Sequence, residues 1–218
     1  MNYEKKYGSP FPIIEVSLAA NEAICIEPGT MMYSDPAISL HHTTNAHRQK
    51  MTGGKRISRF GSANKILAIV QASQPARVAV APCKPGDLIE LHCDTAQNEQ
   101  WKIIGGAFLA CDMGVSFEVV QGGFGASFGA LFSNNLPMII LQTSGNGSCI
   151  VDSCGNLQRI NLNGTRSINV DSAHLVAWSA GLQYKVFQQR SNIRGVVVRE
   201  WVAQFSGHGS VIMQSNSR

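Results

Sequence analysis

Three ten-residue segments of this chain are similar to one another without any gap. They begin at Gln71, Gln142 and Gln204, so the second lies 71 residues after the first and the third lies 62 residues after the second. Each has a serine two residues after the glutamine and ends in a mostly apolar run. A recurring sequence constrains the fold more than any single motif, because each copy is expected to form the same supersecondary unit.

A second set of similar segments covers residues 26–35, 103–112 and 170–179, in the same order and without gaps. Units of roughly this spacing are too small to bury a hydrophobic core alone, whereas three units packed around a common axis can share one. We therefore predict a single domain, residues 1–218, that is built from three β repeats. The repeats cover about residues 14–82, 88–153 and 157–215.

Short strands separated by turns dominate the local sequence pattern. Apolar and polar residues alternate, at least in part, in 13–18, 88–92 and 157–162, which is typical of strands of five or six residues. Glycines at 145–147 and 207–209 predict turns. The predicted fold is all-β, with a compact body like a β-prism or a double-stranded β-helix and a pseudo-threefold internal repeat.

The composition favours an oligomer. Apolar residues make up 44% of the chain, which is enough for a core, but charged residues make up only 15%, against roughly 25% in typical soluble domains. Residues 119–151 contain no acidic or basic residue and no histidine. No stretch approaches the ~20 apolar residues of a transmembrane helix, and the first residues lack the apolar core of an export signal. We expect a cytoplasmic homo-oligomer without a transmembrane segment.

The cysteines are predicted to be reduced and mostly buried. Without an export signal, disulfides are not expected. The spacing of the cysteines also lacks the paired CxxC pattern of a zinc site, so we expect no metal and no cofactor. The six cysteines are Cys25, Cys83, Cys93, Cys111, Cys149 and Cys154.

Several segments together resemble one protein family. They are 85–91 (PGDLIEL), 106–112 (GAFLACD), 170–178 (VDSAHLVAW) and 205–215 (FSGHGSVIMQS). This combination resembles the altered-inheritance-of-mitochondria (mitochondrial biogenesis) family and its bacterial homologues of unknown function, over nearly the whole chain. The resemblance implies a compact pseudo-threefold β fold similar to that of the tryptophan RNA-binding attenuation protein, and an oligomer. It implies no catalytic residues.

Two places carry residue types that nucleophilic catalysis uses. Ser172 lies near His174 and Asp171, and Cys93 follows His92. His174 aligns with Thr30 and Ala107 of the other copies, so we interpret it as a substitution within a structural strand rather than as a catalytic base. We therefore predict that the protein is not an enzyme.

The strongest charge feature is a basic segment at 41–65. Between Pro36 and Gly86 there are eight basic residues and no acidic one. Such a segment can bind RNA, another polyanion, an anionic lipid or an acidic protein partner. Phe60 is its single aromatic residue, so the usual platform for base stacking is missing. The candidate polyanion-binding residues are Arg48, Lys50, Lys55, Arg56, Arg59 and Lys65.

The uncharged glycine-rich segment 122–129 is the candidate subunit interface, because small residues let two backbones approach closely. Its GxGxxxG spacing does not match a dinucleotide-binding loop. The function predicted from the sequence is a non-catalytic scaffold or interaction protein, with RNA or polyanion binding as the alternative. The candidate interface residues are Gly122, Gly123, Phe124, Gly125, Ala126, Phe128 and Gly129.

Overall fold

The computed structural model describes residues 1–44, 66–120, 140–193 and 196–217. In this part of the chain, eighteen strands and one 3-10 turn, Ser172–His174, form the regular structure. The all-β prediction is therefore confirmed. The strands predicted from alternating sequence are also present.

The strands follow one another in three consecutive stretches, after an N-terminal strand. The N-terminal strand and the first stretch are β1 (Asn2–Lys6), β2 (Ile13–Leu18), β3 (Ala23–Ile26), β4 (Met31–Ser34), β5 (Ile38–Thr44), β6 (Ile66–Ala72) and β7 (Ala76–Val80). The second stretch is β8 (Leu88–Asp94), β9 (Trp101–Ile104), β10 (Phe108–Asp112), β11 (Val115–Val120) and β12 (Ile140–Asp152). The third is β13 (Leu157–Asn163), β14 (Ile168–Asp171), β15 (Leu175–Ser179), β16 (Gln183–Ile193), β17 (Val196–Ser206) and β18 (His208–Gln214).

The antiparallel pairings are arranged alike in the three stretches. β7 lies between β2 and β4, the second half of β12 lies between β8 and β10, and β18 lies between β13 and β15. In the same way, β6 lies between β3 and β5, the first half of β12 between β9 and β11, and β17 between β14 and β16.

The register of these pairings also agrees with the sequence alignment. β4, β10 and β15 each have a β-bulge at the aligned position, which follows Met31, Phe108 and Leu175. A bulge places one extra residue in a strand and increases its local twist. After the bulge, the directly opposed pairs are Ser34 with Val78, Cys111 with Cys149, and Trp178 with Val211.

The predicted turn at 145–147 is a bend within β12 and not its end. β12 pairs with β9 and β11 up to Gly145 and with β8 and β10 beyond it. Gly145 has φ of 92°, and Gly207, at the aligned position between β17 and β18, has φ of 103°. Glycine adopts this left-handed conformation without steric cost, so it lets the chain turn from one sheet into the next.

Pairing between stretches joins most of the strands into one sheet. β10 pairs with β3, and β15 pairs with β9. The resulting order is β13-β18-β15-β9-β12-β10-β3-β6-β5, with β8 and β11 also beside β12. The remaining described strands form a four-stranded sheet, β1-β2-β7-β4, and a three-stranded sheet, β14-β17-β16.

The buried side chains form three clusters. The first contains four cysteines and an edge-to-face pair of rings, Phe108 and Phe117, with centroids 5.0 Å apart. The second is aliphatic and includes Ile14 and Val78. The third is built around Trp178, whose ring centroid lies 5.5 Å from that of Phe205. Burial of such side chains contributes about 1.5–3 kcal/mol each.

Gly145 gives a direct test of the bend. A Cβ atom at this position would lie 2.0 Å from the carbonyl oxygen of Gly114, and the positive φ disfavours any side chain. We expect Gly145→Ala to lower the free energy of unfolding by at least about 1–3 kcal/mol, measured by urea denaturation.

Gly181→Ala is the matched control. No atom lies within 4 Å of a Cβ built at Gly181, so this substitution should leave stability unchanged or raise it slightly. Equal stability of the two variants would contradict a required bend at Gly145.

Candidate functional site

The two candidate sites named from the sequence lie outside the described residues. All six candidate polyanion-binding residues fall within 48–65, and all seven candidate interface residues fall within 122–129. Both assignments, and with them RNA or polyanion binding, stay predictions. The functional surfaces considered below come from the described residues alone.

The residues around His174 are engaged in local structure. The Asp171 carboxylate accepts a hydrogen bond from the backbone N–H of Ala173 at 2.8 Å and so begins the 3-10 turn. His174 Nδ1 lies 2.8 Å from the backbone carbonyl oxygen of Gln214, to which it donates. Ser172 is buried in the same turn. These contacts explain the three side chains as turn-forming groups and agree with the structural interpretation.

Cys93 and His92 lie on opposite faces of β8, because successive strand residues alternate. Cys93 is fully buried, and burial raises the pKa of its thiol to about 11, while the side chain of His92 is exposed. A thiol with this pKa is almost entirely protonated near neutral pH and is a poor nucleophile. The two residues therefore do not form a cysteine–histidine pair.

Exposed apolar side chains surround β4. Tyr7, Phe11 and Met32 are 73%, 67% and 62% exposed, and Met31 and Tyr33 beside them are also exposed. We call these five residues the β4 surface. Tyr7, Phe11 and Met32 line one groove, and monomeric proteins seldom expose large apolar patches without a functional reason.

A groove of about 590 Å³ runs along the β4 surface. The loop between β1 and β2 forms one wall with Tyr7 and Phe11, and residues 81–85 form the other. Prolines at 82 and 85 cannot donate a backbone hydrogen bond, so they do not extend β7 and leave this segment as an irregular wall. The side chain of Met32 lines the groove between the walls.

A network of charged and polar side chains fixes Tyr33 on the four-stranded sheet. Glu15 on β2 accepts hydrogen bonds from Lys6 Nζ at 2.8 Å and from the Tyr33 hydroxyl. Arg77 Nη1 lies 3.6 Å from the same carboxylate. The hydrogen bonds from Lys6 and then Tyr33 lower the pKa of Glu15, and the bond to Glu15 raises the pKa of Tyr33. The network thus connects β1, β2, β4 and β7.

A second, polar cleft of about 410 Å³ lies between the second and third stretches. The guanidinium of Arg159 lies over the Trp101 ring, 5.4 Å from its centroid, and Arg159 Nε donates to Ser210 Oγ at 3.1 Å. His92 Nε2 lies 3.7 Å from Glu99 Oε2. These side chains already contact neighbours within the chain, so the cleft resembles an ordinary solvated surface more than a catalytic site.

Neither a metal site nor a membrane-spanning helix is present in the part of the chain that the structure describes. No group of three or more His, Cys, Asp or Glu side chains there has a geometry that could hold a metal ion. No described helix is long and apolar enough to cross a membrane. All six cysteines carry thiols, and five of them are buried.

These features define an all-β protein with several antiparallel sheets, an exposed apolar groove and a polar surface cleft. The chain belongs to the Mitochondrial biogenesis AIM24 family, whose model matches residues 3–216. The family predicted from the sequence is therefore confirmed. The expected similarity to the tryptophan RNA-binding attenuation protein stays a prediction.

Two relatives come from Streptococcus pyogenes. An uncharacterised protein of the serotype M6 strain is 26% identical over 209 residues, which cover 94% of this chain and 82% of the relative. The X-ray crystal structure of a protein from the same species superimposes with a TM-score of 0.73 at 22% identity, and covers 99% of this chain and 94% of that one. At this identity the structural likeness concerns the fold alone.

The β4 surface was not predicted from the sequence, although the alignment contains a signal for it. Met31, Met32 and Tyr33 align with Phe-Leu-Ala in β10 and with Leu-Val-Ala in β15. Replacement of a small alanine by tyrosine in one copy indicates that this copy has different surroundings. Only the structure shows that these surroundings are solvent.

The Glu15 network predicts a pH-dependent stability. The pKa of Glu15 is lower in the folded protein, so its contribution is complete above the unfolded value of about 4.3 and is lost as the pH falls through the folded pKa. Glu15→Gln should therefore be less stable than the parent at pH 7, and this difference should disappear in strong acid. Urea denaturation at both pH values measures it.

Glu4→Gln is the control for this experiment, because Glu4 is exposed on β1 directly opposite Glu15. It removes the same charge from the same region without breaking the network. A destabilisation of Glu15→Gln that persists unchanged in strong acid would show that the carboxylate charge is not the cause.

Proposed function

We propose that this chain is a non-catalytic interaction protein that acts as an oligomeric scaffold. The observation that carries the proposal is the β4 surface, with Tyr7, Phe11 and Met32 each more than 60% exposed beside a groove of about 590 Å³. Aromatic residues and methionine are enriched in protein–protein interfaces, where they fill pockets of the partner. The groove provides such a pocket next to the exposed side chains.

The comparison with the aligned strands supports the same conclusion. Met32 is 62% exposed, whereas its counterparts Leu109 in β10 and Val176 in β15 are 1% and 0% exposed. The three positions share one backbone setting, since each lies at the bulge of its strand. The difference in burial between these three side chains therefore depends on which neighbouring strands cover β4, β10 and β15. A covering partner would bring Met32 to the burial of its counterparts.

The backbone under the β4 surface suits a rigid docking site. β4 is hydrogen-bonded to β7, and Tyr33 is tied to Glu15 in the network described above. A pre-ordered surface loses less conformational entropy when it binds, so more of the apolar burial contributes to affinity.

We further propose that the scaffold is a pseudo-threefold body of three repeats, with a β-prism or double-stranded β-helix shape. The common pairing scheme, the aligned bulges and the glycine bends at the aligned positions of the second and third stretches support this architecture. An experimental crystal structure tests it: the three stretches should superimpose through successive rotations about a single axis, with the first and third stretches left unpaired at β4 and β14. Superposition that needs unrelated axes would contradict it.

Charging the β4 surface tests the proposed function. We expect the parent protein to associate in light scattering, and Phe11→Glu with Met32→Glu to reduce that association, because burying an unpaired carboxylate costs several kcal/mol. The thermal unfolding midpoint should change little, since both side chains are mostly exposed in the single chain.

Ile66→Glu is the matched control, since Ile66 is 58% exposed on β6 and lies outside the β4 surface. It should leave association unchanged. A monomeric parent would contradict the oligomeric scaffold. Equal loss of association in the control would show that charge itself, and not this surface, is responsible.

A further inference from the structure

Two junctions between stretches have the same backbone register. At the first, β10 pairs with β3, and at the second, β15 pairs with β9. The aligned residues occupy the same places at both. The opposed pairs are Ala110 with Ile26, Cys111 with Cys25 and Asp112 with Ile24, and then Ala177 with Ile103, Trp178 with Lys102 and Ser179 with Trp101.

The third junction of this series would join β4 to β14, but these strands lie in separate sheets. β4 is an edge of the sheet β1-β2-β7-β4, and β14 is an edge of the sheet β14-β17-β16. The alignment specifies the register that this junction would have. Tyr33 would oppose Val170, Ser34 would oppose Asn169, and Asp35 would oppose Ile168.

β4 is exposed where its counterparts are covered, and β14 is exposed in part, with Val170 buried. All three residues Met31, Met32 and Tyr33 are exposed, whereas the aligned residues of β10 and β15 are buried. Asn169 of β14 is exposed, whereas Cys25 at the same position in β3 is fully buried. An edge strand presents backbone N–H and C=O groups that can pair with another strand. The described part of the chain therefore contains both strands of a third junction, β4 and β14, which do not pair with each other within it.

We propose that β4 of one copy pairs antiparallel with β14 of a second copy, in the register of the two internal junctions. This inference rests on the proposed function and names the occupant of the β4 surface. A second copy fits because it brings a strand of the required type, and the same pairing geometry already occurs twice within each chain. The contact joins two different surfaces, so repeated copies would associate head-to-tail. Two copies could instead form a closed dimer in which β4 of each pairs with β14 of the other.

The pairing also explains the side chains at the junction. Ser34 lies in the row that contains Val78 and Val16, which belong to a buried cluster. It is the aligned counterpart of Cys111 and Trp178, which point into the core at the internal junctions. At the proposed junction Ser34 would meet the polar Asn169 instead of a core residue. A polar pair suits such a contact, because both side chains can be solvated when the two copies are apart.

Disulfide trapping between two different variants tests this register. The background is Cys83→Ser, because Cys83 is the one exposed cysteine. Ser34→Cys carrying a large fusion tag is mixed with untagged Asn169→Cys, and the mixture is oxidised at concentrations where the parent associates. Directly opposed strand residues are close enough for a disulfide. We expect a reductant-sensitive band with the summed mass of the two chains.

Tagged Ser34→Cys mixed with Gln158→Cys is the control, since Gln158 is an exposed residue of β13 outside both edges. It should give no mixed band. Equal cross-linking in the control, or none in either mixture, overturns the proposal. A chain carrying both Ser34→Cys and Asn169→Cys that closes within itself on dilution also overturns it, because the two edges then meet in one copy.

Light scattering of the same samples separates the two proposals. Association without the Ser34–Asn169 cross-link would leave the interaction scaffold in place and remove this strand pairing. A protein that is monomeric throughout would contradict both.

Discussion

The bend of β12 is the constraint on which the rest of the structure depends. In one continuous strand, β12 pairs with β9 and β11 and then with β8 and β10. Gly145, with φ of 92° and the Gly114 carbonyl close by, provides the change of direction between the two halves. Because β9 pairs with β15 of the third stretch and β10 pairs with β3 of the first, this one strand lies at the centre of the eleven-stranded sheet that joins the three stretches.

The three stretches differ in how many of their strands are covered by neighbouring strands. The second stretch has neighbours on both sides, and its strands β9 and β10 are almost entirely buried. The first and third stretches each have one edge, β4 and β14, that no described strand covers. The aligned strands β4, β10 and β15 therefore have different surroundings, and the difference depends on the position of each strand in the chain. The apolar groove occurs at one of these edges.

Several ionisable residues of the described chain take part in local structure. His174 and Asp171 hold a 3-10 turn, and Cys93 is buried with a raised pKa. Glu15 is placed to hold Tyr33, and Arg159 contacts Trp101 and Ser210. Each of these groups has a structural contact that accounts for it. On the β4 surface, Tyr33 is held by Glu15, while Tyr7, Phe11 and Met32 are the most exposed of its side chains.

The sequence by itself determined the all-β class, the positions of strands such as β2, β8 and β13, and the family. Alternation and glycine placement are local properties, so they can be read without a structure. The sequence also suggested the alignment that the strand pairings follow. It could not show that Gly145 bends a strand instead of ending it, because pairing partners lie far away in the chain. It could not show that Met32 is exposed while Leu109 is buried. Burial depends on which neighbours tertiary structure brings to a strand, and similar segments acquire different neighbours.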